Sequence, residues 1–322
     1  MTKSVVINSF GSLDVLSISN TGVNISNDTD VIVKHTFIGV NNYDIRQRRG
    51  DFEFNTPLIP GCEAVGKVEA VGPGVKLFGP GTRVAYATMP FGAYSESQVV
   101  DEKYLIPIPD IVSDRDAAAL LYKVMSAHYL LRRTFFVSDK STILVMNGAR
   151  DVGNFLVKLA RHYKCKVIAT VNNEEEKNSL KGFANHVIQY GKESLVEAVK
   201  ELTQGEMVNV VYDPFGKGSF DEAIDCLMPL GLFVGYDAIN GTVDKIDIRK
   251  ASKKCNFVTF PDLFTYKTNR AELLLSANEV FALFQQKVVL PNITNEYTLD
   301  DVRQVHEDYE AGRIKGQAII SV

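Results

Sequence analysis

The stretch TILVMNGARDVGNFLVKLARHY, residues 142–163, runs from a branched apolar segment through a short turn into a segment of helical spacing. TILVM reads as a buried strand and GNFLVKLARHY as an amphipathic helix. In a doubly wound sheet, the first turn of this kind meets the pyrophosphate of a dinucleotide. The fingerprint G-x-G-x-x-G places glycines at 148, 150 and 153; Gly148 and Gly153 are present, while Arg150 holds the middle place. Two readings compete for the turn. Either it is a plain connection in a sheet that has lost its cofactor, or Arg150 supplies a charged partner for phosphates that a glycine backbone otherwise approaches. Asp151 repels phosphate unless it pairs with Arg150. A hydrogen bond to a charged group contributes about 1.5–3 kcal/mol in either direction, so magnitude alone leaves both readings open. Arg150, Asp151, Val152 and Gly153 are therefore the candidate phosphate-loop residues.

The same alternation continues downstream. KVIATV, HVIQ, VNVVYD, GLFVGYD and NFVTF read as buried strands, with ESLVEAVKELT and SFDEAIDCLM as helices between them. Ser219 with Glu222 suggests a capping box at the start of the last helix. Strands and helices alternating at this spacing give parallel strands with crossover helices, a Rossmann-type doubly wound sheet. The second strand ends in Val171, Asn172 and Asn173 rather than in the acid of an NAD-specific site, so nothing there repels a 2′-phosphate at once. Lys177, one turn further on, is a candidate for that phosphate. Since Glu174, Glu175 and Glu176 precede it, a solvated helix start is the competing reading.

The first third of the chain differs in character. DVIVKHTF, EAVGKVEAVGPGV and TRVAYATM read as short strands joined by tight turns, a β-rich domain. SDRDAAALL then offers Ser113 as a helix cap with an acid three residues later, and apolar residues continue at helical spacing through YLLRRTFF. NRAELLLSANEVFALFQQ and TLDDVRQVHEDYEAG read as two further helices, the last closed by Gly312.

At 322 residues, 45% hydrophobic and 23% charged, the chain has the length and composition for two folded domains. A net charge of -4 gives no basic footprint for nucleic acid, which leaves small molecules as the expected partners. Cys62, Cys165, Cys226 and Cys255 are widely spaced and form no C-x-x-C pair, which fits a reducing, cytoplasmic setting. No apolar run approaches the roughly 18 residues of a membrane span.

On IGVNNYDIRQRRG (38–50), PGCEAVGKVEAVGPGVK (60–76), FGAYSE (91–96), LIPIPDIVSDRDAAALL (105–121), AHYLLRRT (127–134), VYDPFG (211–216) and GRIKGQAIISV (312–322), the chain resembles the zinc-independent quinone oxidoreductases. These form the zeta-crystallin-like branch of the medium-chain dehydrogenase/reductase superfamily. The resemblance implies a GroES-like catalytic domain over residues 1–122 and 262–322, a dinucleotide-binding domain over 123–261, and a homodimer. It also implies NADPH as hydride donor and a quinone or related conjugated carbonyl as acceptor. Zinc-dependent relatives place a cysteine where Asn41 stands and a histidine where Cys62 stands, so no metal chemistry is expected.

By the same resemblance, Asn41 is a candidate donor to the acceptor oxygen, the competing reading being a residue that caps or turns a loop. Tyr43 is the candidate acid for the alternative of enal or enone double-bond reduction. Asn42, Asp44, Lys123, Ser126, Tyr129, Asn172, Tyr190, Phe215, the loop 235–240 with Ala238, Phe260 and Lys315 match cofactor-lining positions. Departures fall in the same region. Arg46 replaces an aromatic residue, Phe52 a tyrosine, Val124 a glycine and Ser126 a threonine, while the family's A-x-G-G-V-G reads G-A-R-D-V-G over residues 148–153. A positive Arg46 favours anionic or strongly polarised acceptors. A non-catalytic member with a degenerate cofactor loop is the rival reading of these departures.

Overall fold

The computed structural model describes residues 1–267 and 269–322, which divide into two compact units, Met1–Met125 with Tyr266–Val322 and Ser126–Thr265. The divisions lie a few residues beyond those expected, so Lys123 belongs to the first unit.

The chain begins with β1 (Thr2–Ile7), β2 (Leu16–Thr21) and β3 (Asp30–Gly39), followed by helix α1 (Asn42–Arg49). Next come β4 (Ala64–Val71), β5 (Arg83–Tyr86), β6 (Ser97–Asp101), β7 (Ile106–Pro107) and α2 (Asp114–Tyr129). The alternating segment is β8 (Thr142–Val145), α3 (Asp151–His162), β9 (Lys166–Val171), α4 (Glu174–Ser179), β10 (His186–Gln189) and α5 (Leu195–Leu202). It continues with β11 (Val208–Asp213), α6 (Phe220–Asp225), β12 (Leu227–Gly235), α7 (Ile248–Lys253) and β13 (Phe257–Thr259). The chain closes with α8 (Leu263–Tyr266), α9 (Arg270–Gln285), β14 (Ile293–Thr298), α10 (Val302–Glu310) and β15 (Gln317–Ser321).

In the first unit the main sheet has the order β14-β15-β3-β4-β5-β7, with β6 also paired to β3. Its long strand β3 turns Val31, Val33 and Ile38 into a core shared with Val68, Val84, Tyr86, Leu299 and Val305. This accounts for the alternation in DVIVKHTF. α10 ends as its sequence suggests: Gly312 takes φ +65°, its N–H donates to Tyr309 O (3.0 Å), and Arg313 N donates to Asp308 O (2.9 Å). This pair of bonds is the glycine-dependent helix stop.

The second unit is a parallel sheet of order β10-β9-β8-β11-β12-β13. Strand order reverses between β8 and β11, which makes the end of β8 the switch point where such sheets bind ligands. Ile143, Leu144 and Val145 on β8 are all fully buried, as a strand covered on both faces requires. α3 packs Val152, Phe155, Leu156, Leu159 and Ala160 inward.

Two local expectations are corrected. The helix expected from SFDEAIDCLM stops at Asp225, because Leu227 pairs with Val208 and begins β12. Ser219 and Glu222 form no capping box. Ser219 Oγ donates to Asp213 Oδ2 (2.6 Å), while Glu222 accepts from Tyr190 Oη (3.1 Å) and Leu195 N (3.1 Å). A buried Asp213 carboxylate needs donors more than a short surface helix needs a cap. Ser113 does cap α2, its Oγ accepting from Asp116 N at 3.0 Å. Among the described residues no helix is long and apolar enough to cross a membrane.

Candidate active site

The turn from β3 into α1 brings Asn41, Asp44, Cys62, Glu63 and Lys123 into one buried cluster within the first unit. Lys123 Nζ donates to Asn41 Oδ1 (2.6 Å) and to Val40 O (2.7 Å), with the residue only 1% exposed. Asn41 Nδ2 donates to Glu63 Oε2 (3.1 Å) and faces the Cys62 sulfur at 3.8 Å. Glu63 Oε1 accepts from Tyr122 N (2.7 Å), and Asp44 Oδ2 accepts from Asn41 N (2.9 Å). Asn41 does stand at the helix cap, but its side chain is held by an ammonium on one side and a carboxylate on the other, which fixes the amide's orientation.

Burial dominates the acid chemistry here. Removal from water pushes Glu63 from its ordinary 4.5 up to about 7 and Asp44 from 3.8 up to about 6, with the Lys123 charge working the other way in each case. The Cys62 thiol is driven well above its ordinary value by burial and then by the neighbouring carboxylates. Among the described residues no group of three or more His, Cys, Asp or Glu is arranged to hold a metal ion.

Beside this cluster lies an aromatic group. Tyr43 stacks on Phe52 (4.4 Å between ring centres) and on Phe91 (5.5 Å); Phe54 approaches Phe52 (5.4 Å) and Phe91 (5.1 Å). The Arg46 guanidinium lies 4.5 Å above the Phe52 ring, and its Nε pairs with Asp51 at 3.1 Å. Asp51 therefore offsets part of the Arg46 charge beside the aromatic group. Asn42 is buried at the start of α1, whereas Lys315 is exposed ahead of β15.

In the second unit the turn after β8 is shaped by two glycines. A Cβ on Gly153 would run into the Asn147 carbonyl, and one on Gly148 would crowd the Ala169 and Val157 side chains. Arg150 has the ordinary extended values φ -121°, ψ 151° and makes no side-chain cap bond at the start of α3. Asp151 is the residue in the left-handed region, at φ +46°. The position that most wants a glycine is therefore 151, not 150, and aspartate is among the few side chains that tolerate it.

Arg150 reaches across to α4, where its Nε bonds Glu176 Oε1 at 2.6 Å. Glu176 Oε2 accepts from Asn172 N (2.8 Å) and Asn172 Nδ2 (3.1 Å), and the residue is buried. In the sequence Glu176 reads as one of three acids in a solvated helix start. Nothing in EEEK distinguishes it, because its partner lies in a different turn. Lys177 is exposed and lines a surface groove with Lys181 and Asn185 that includes neither Arg150 nor Asn172.

The remaining candidates in this unit also have defined places. Tyr190 stacks on Phe215 at 5.8 Å. Tyr129 Oη donates to Pro261 O at 3.3 Å. Ala238 takes φ +48° in the loop after β12, and Asn240 N donates to Phe215 O at 2.9 Å. Phe260, half exposed, covers Gly235, where a Cβ would strike its ring. Ser126 is buried on α2.

Residues 27–110 match the family described as alcohol dehydrogenase GroES-like domain, and residues 152–259 match the one described as zinc-binding dehydrogenase. A GroES-like unit together with a doubly wound nucleotide unit defines a medium-chain dehydrogenase/reductase. The chain is 32% identical over 325 residues to a quinone oxidoreductase of Pseudomonas aeruginosa, covering 99% of each. It is also 32% identical to a 2-haloacrylate reductase of a Burkholderia species, covering 97% of this chain and 96% of that one. Among solved structures it matches Escherichia coli quinone oxidoreductase complexed with NADPH, with TM-score 0.96, 31% identity, and coverage of 99% and 100% of the two chains. Within the superfamily, the chain belongs to the quinone oxidoreductase family.

Proposed function

We propose that the chain catalyses NADPH-dependent reduction of quinones or related conjugated carbonyls by hydride transfer without zinc. The observation that carries this reading is the Lys123 ammonium bonded to Asn41 at 2.6 Å. A fixed positive charge occupies the surroundings of the residue that zinc-dependent relatives replace with a metal-binding cysteine. The preserved close packing at Gly148 and Gly153 supports a nucleotide turn after β8, with Val152, Asp151 and Arg150 at the start of α3 and Asn172 at the end of β9 as the residues that would hold the cofactor. Tyr190 and Phe215 offer a stacked aromatic pair for a flat base. Bound NADPH supplies the hydride, and the acceptor carbonyl gains negative charge.

This chain's residues answer that charge. Lys123 and Glu63 hold the Asn41 amide from opposite sides, leaving the weak contact with the Cys62 sulfur as the one a carbonyl oxygen can replace. Lys123 on Oδ1 polarises the amide and strengthens its N–H as a donor. Tyr43, Phe52, Phe54 and Phe91 give a flat acceptor an apolar stacking surface. Quinone reduction needs no placed acid, because the reduced oxygens take protons from water.

Similarity to a 2-haloacrylate reductase favours a second reading, reduction of a conjugated double bond with Tyr43 delivering the proton. Comparing turnover of a simple quinone with that of a small enal and a 2-haloacrylate separates the two. We also propose a homodimer. Strand β13 forms one of the two edges of its sheet, and Phe257 on it is 59% exposed. Light scattering in solution checks this, with a monomer contradicting it. Thermal unfolding with NADPH at a hundred times its dissociation constant should add about 2.7 kcal/mol, and no shift with NADPH or NADH favours a non-catalytic member.

A further inference from the structure

Glu176 is bound from two directions that a local role does not unite. A cap explains part of its surroundings: Asn173 begins α4, its Oδ1 accepts from Glu176 N (2.9 Å), and the Glu176 carboxylate receives the N–H of Asn172. It does not explain Arg150, which comes from the turn after β8, 26 residues away. Asn172 Nδ2 also reaches Asn147 Oδ1 at 3.4 Å, so the two turns are tied together at the carboxyl ends of β8 and β9. This is where a doubly wound unit meets the adenosine ribose, with an acid accepting from the 2′-hydroxyl or a cation receiving a 2′-phosphate. Here both groups are present and bound to each other, and the acid is the buried member, with 7% side-chain exposure against 21% for Arg150.

We infer that Glu176 sets the nucleotide preference of this chain: its carboxylate receives a ribose 2′-hydroxyl and works against a 2′-phosphate, so NADH is taken alongside NADPH. The inference rests on the reading above that a reduced nicotinamide nucleotide is the donor. A 2′-phosphate carries between one and two negative charges and must draw Arg150 away from Glu176, leaving the carboxylate buried beside it. A hydroxyl keeps the ion pair and adds a donor to it.

Calorimetric titration of the full chain with NADPH and with NADH, in the absence of acceptor, tests this through the ratio of the two dissociation constants. The ratio is internal to each protein, so a variant that is merely less stable still reports it. The wild type is expected to bind the two nucleotides within about tenfold of one another. Glu176→Gln keeps an oxygen for Asn172 and should move the ratio about tenfold or more toward NADPH. Arg150→Met should move it the other way, away from NADPH. The inference is overturned if the wild type prefers NADPH by about a hundredfold or if Glu176→Gln leaves the ratio within about twofold, the result that a helix cap alone gives. Failure of NADH alone to bind overturns this inference and leaves the donor assignment standing, whereas failure of both nucleotides to bind overturns the donor assignment and this inference with it.

Discussion

Glu63 illustrates what a single buried acid does. Its carboxyl is neutral in both folded and unfolded chains below its ordinary 4.5, so burial of the ion costs nothing there; above about 7 it is charged in both states and the folded protein carries the desolvation penalty. Its contribution to stability is therefore fully present below 4.5 and is lost as pH rises through about 7. Asp44 runs the same way between 3.8 and about 6, whereas buried His35, lowered from 6.5 to about 4, runs the opposite way and loses stability as pH falls. Comparing the wild type with Glu63→Gln isolates the contribution of the Glu63 carboxyl. The wild type should lose on the order of 3 kcal/mol relative to the variant across that window in denaturant unfolding; a flat difference contradicts a buried, titrating Glu63.

Arg46 makes a second prediction at this scale. Its stacking on Phe52 and pairing with Asp51 predict that Arg46→Met costs about 1 kcal/mol of stability. The same change should raise KM more for anionic than for neutral acceptors; equal KM values across such a panel contradict a role in acceptor choice. Asn41, Lys123 and Arg46 could be picked out of the sequence because their neighbours form motifs. Glu63 and Glu176 carry no such signal in the sequence, since what singles them out is burial against partners remote in the chain.

Among elements, the β8–α3 connection is the most informative. The strand, the turn and the helix were all legible in the pattern of branched residues and glycines, and so was the need for Gly148 and Gly153. The residue that bears the backbone strain was not, because a G-x-G-x-x-G template assigns the vacancy to position 150, while φ +46° falls on Asp151. Asp151→Ala should accordingly cost about 1 kcal/mol and Asp151→Gly should be neutral or slightly stabilising, as read by thermal unfolding. Gly153→Ala forces a methyl into the Asn147 carbonyl and should cost about 1–3 kcal/mol while weakening nucleotide binding. A Gly153→Ala protein of unchanged stability and affinity would show that the turn is looser than its close packing implies. α6 is shorter than its sequence suggests because apolar residues at its end serve equally well in β12, and only the pairing of Leu227 with Val208 decides between them.

For the whole molecule, the division into a GroES-like unit and a nucleotide unit was readable from the change of pattern near Ser113 and the alternation after Thr142. Its limits were less readable, because α2 runs through the division at Met125 without a break and no linker marks it. The chemistry proposed for the molecule depends on NADPH passing hydride to a conjugated carbonyl, with Lys123 as the proposed fixed cation. The most direct measurement is steady-state oxidation of NADPH by a simple quinone, using protein exhaustively treated with a metal chelator and scored against the amount of quinol formed. The account predicts stoichiometric oxidation that survives chelation and falls at least tenfold in Lys123→Met, on the scale of a lost charge-assisted hydrogen bond. Turnover that vanishes with the metal and returns with zinc, or an absence of oxidation with either reduced nucleotide, contradicts it.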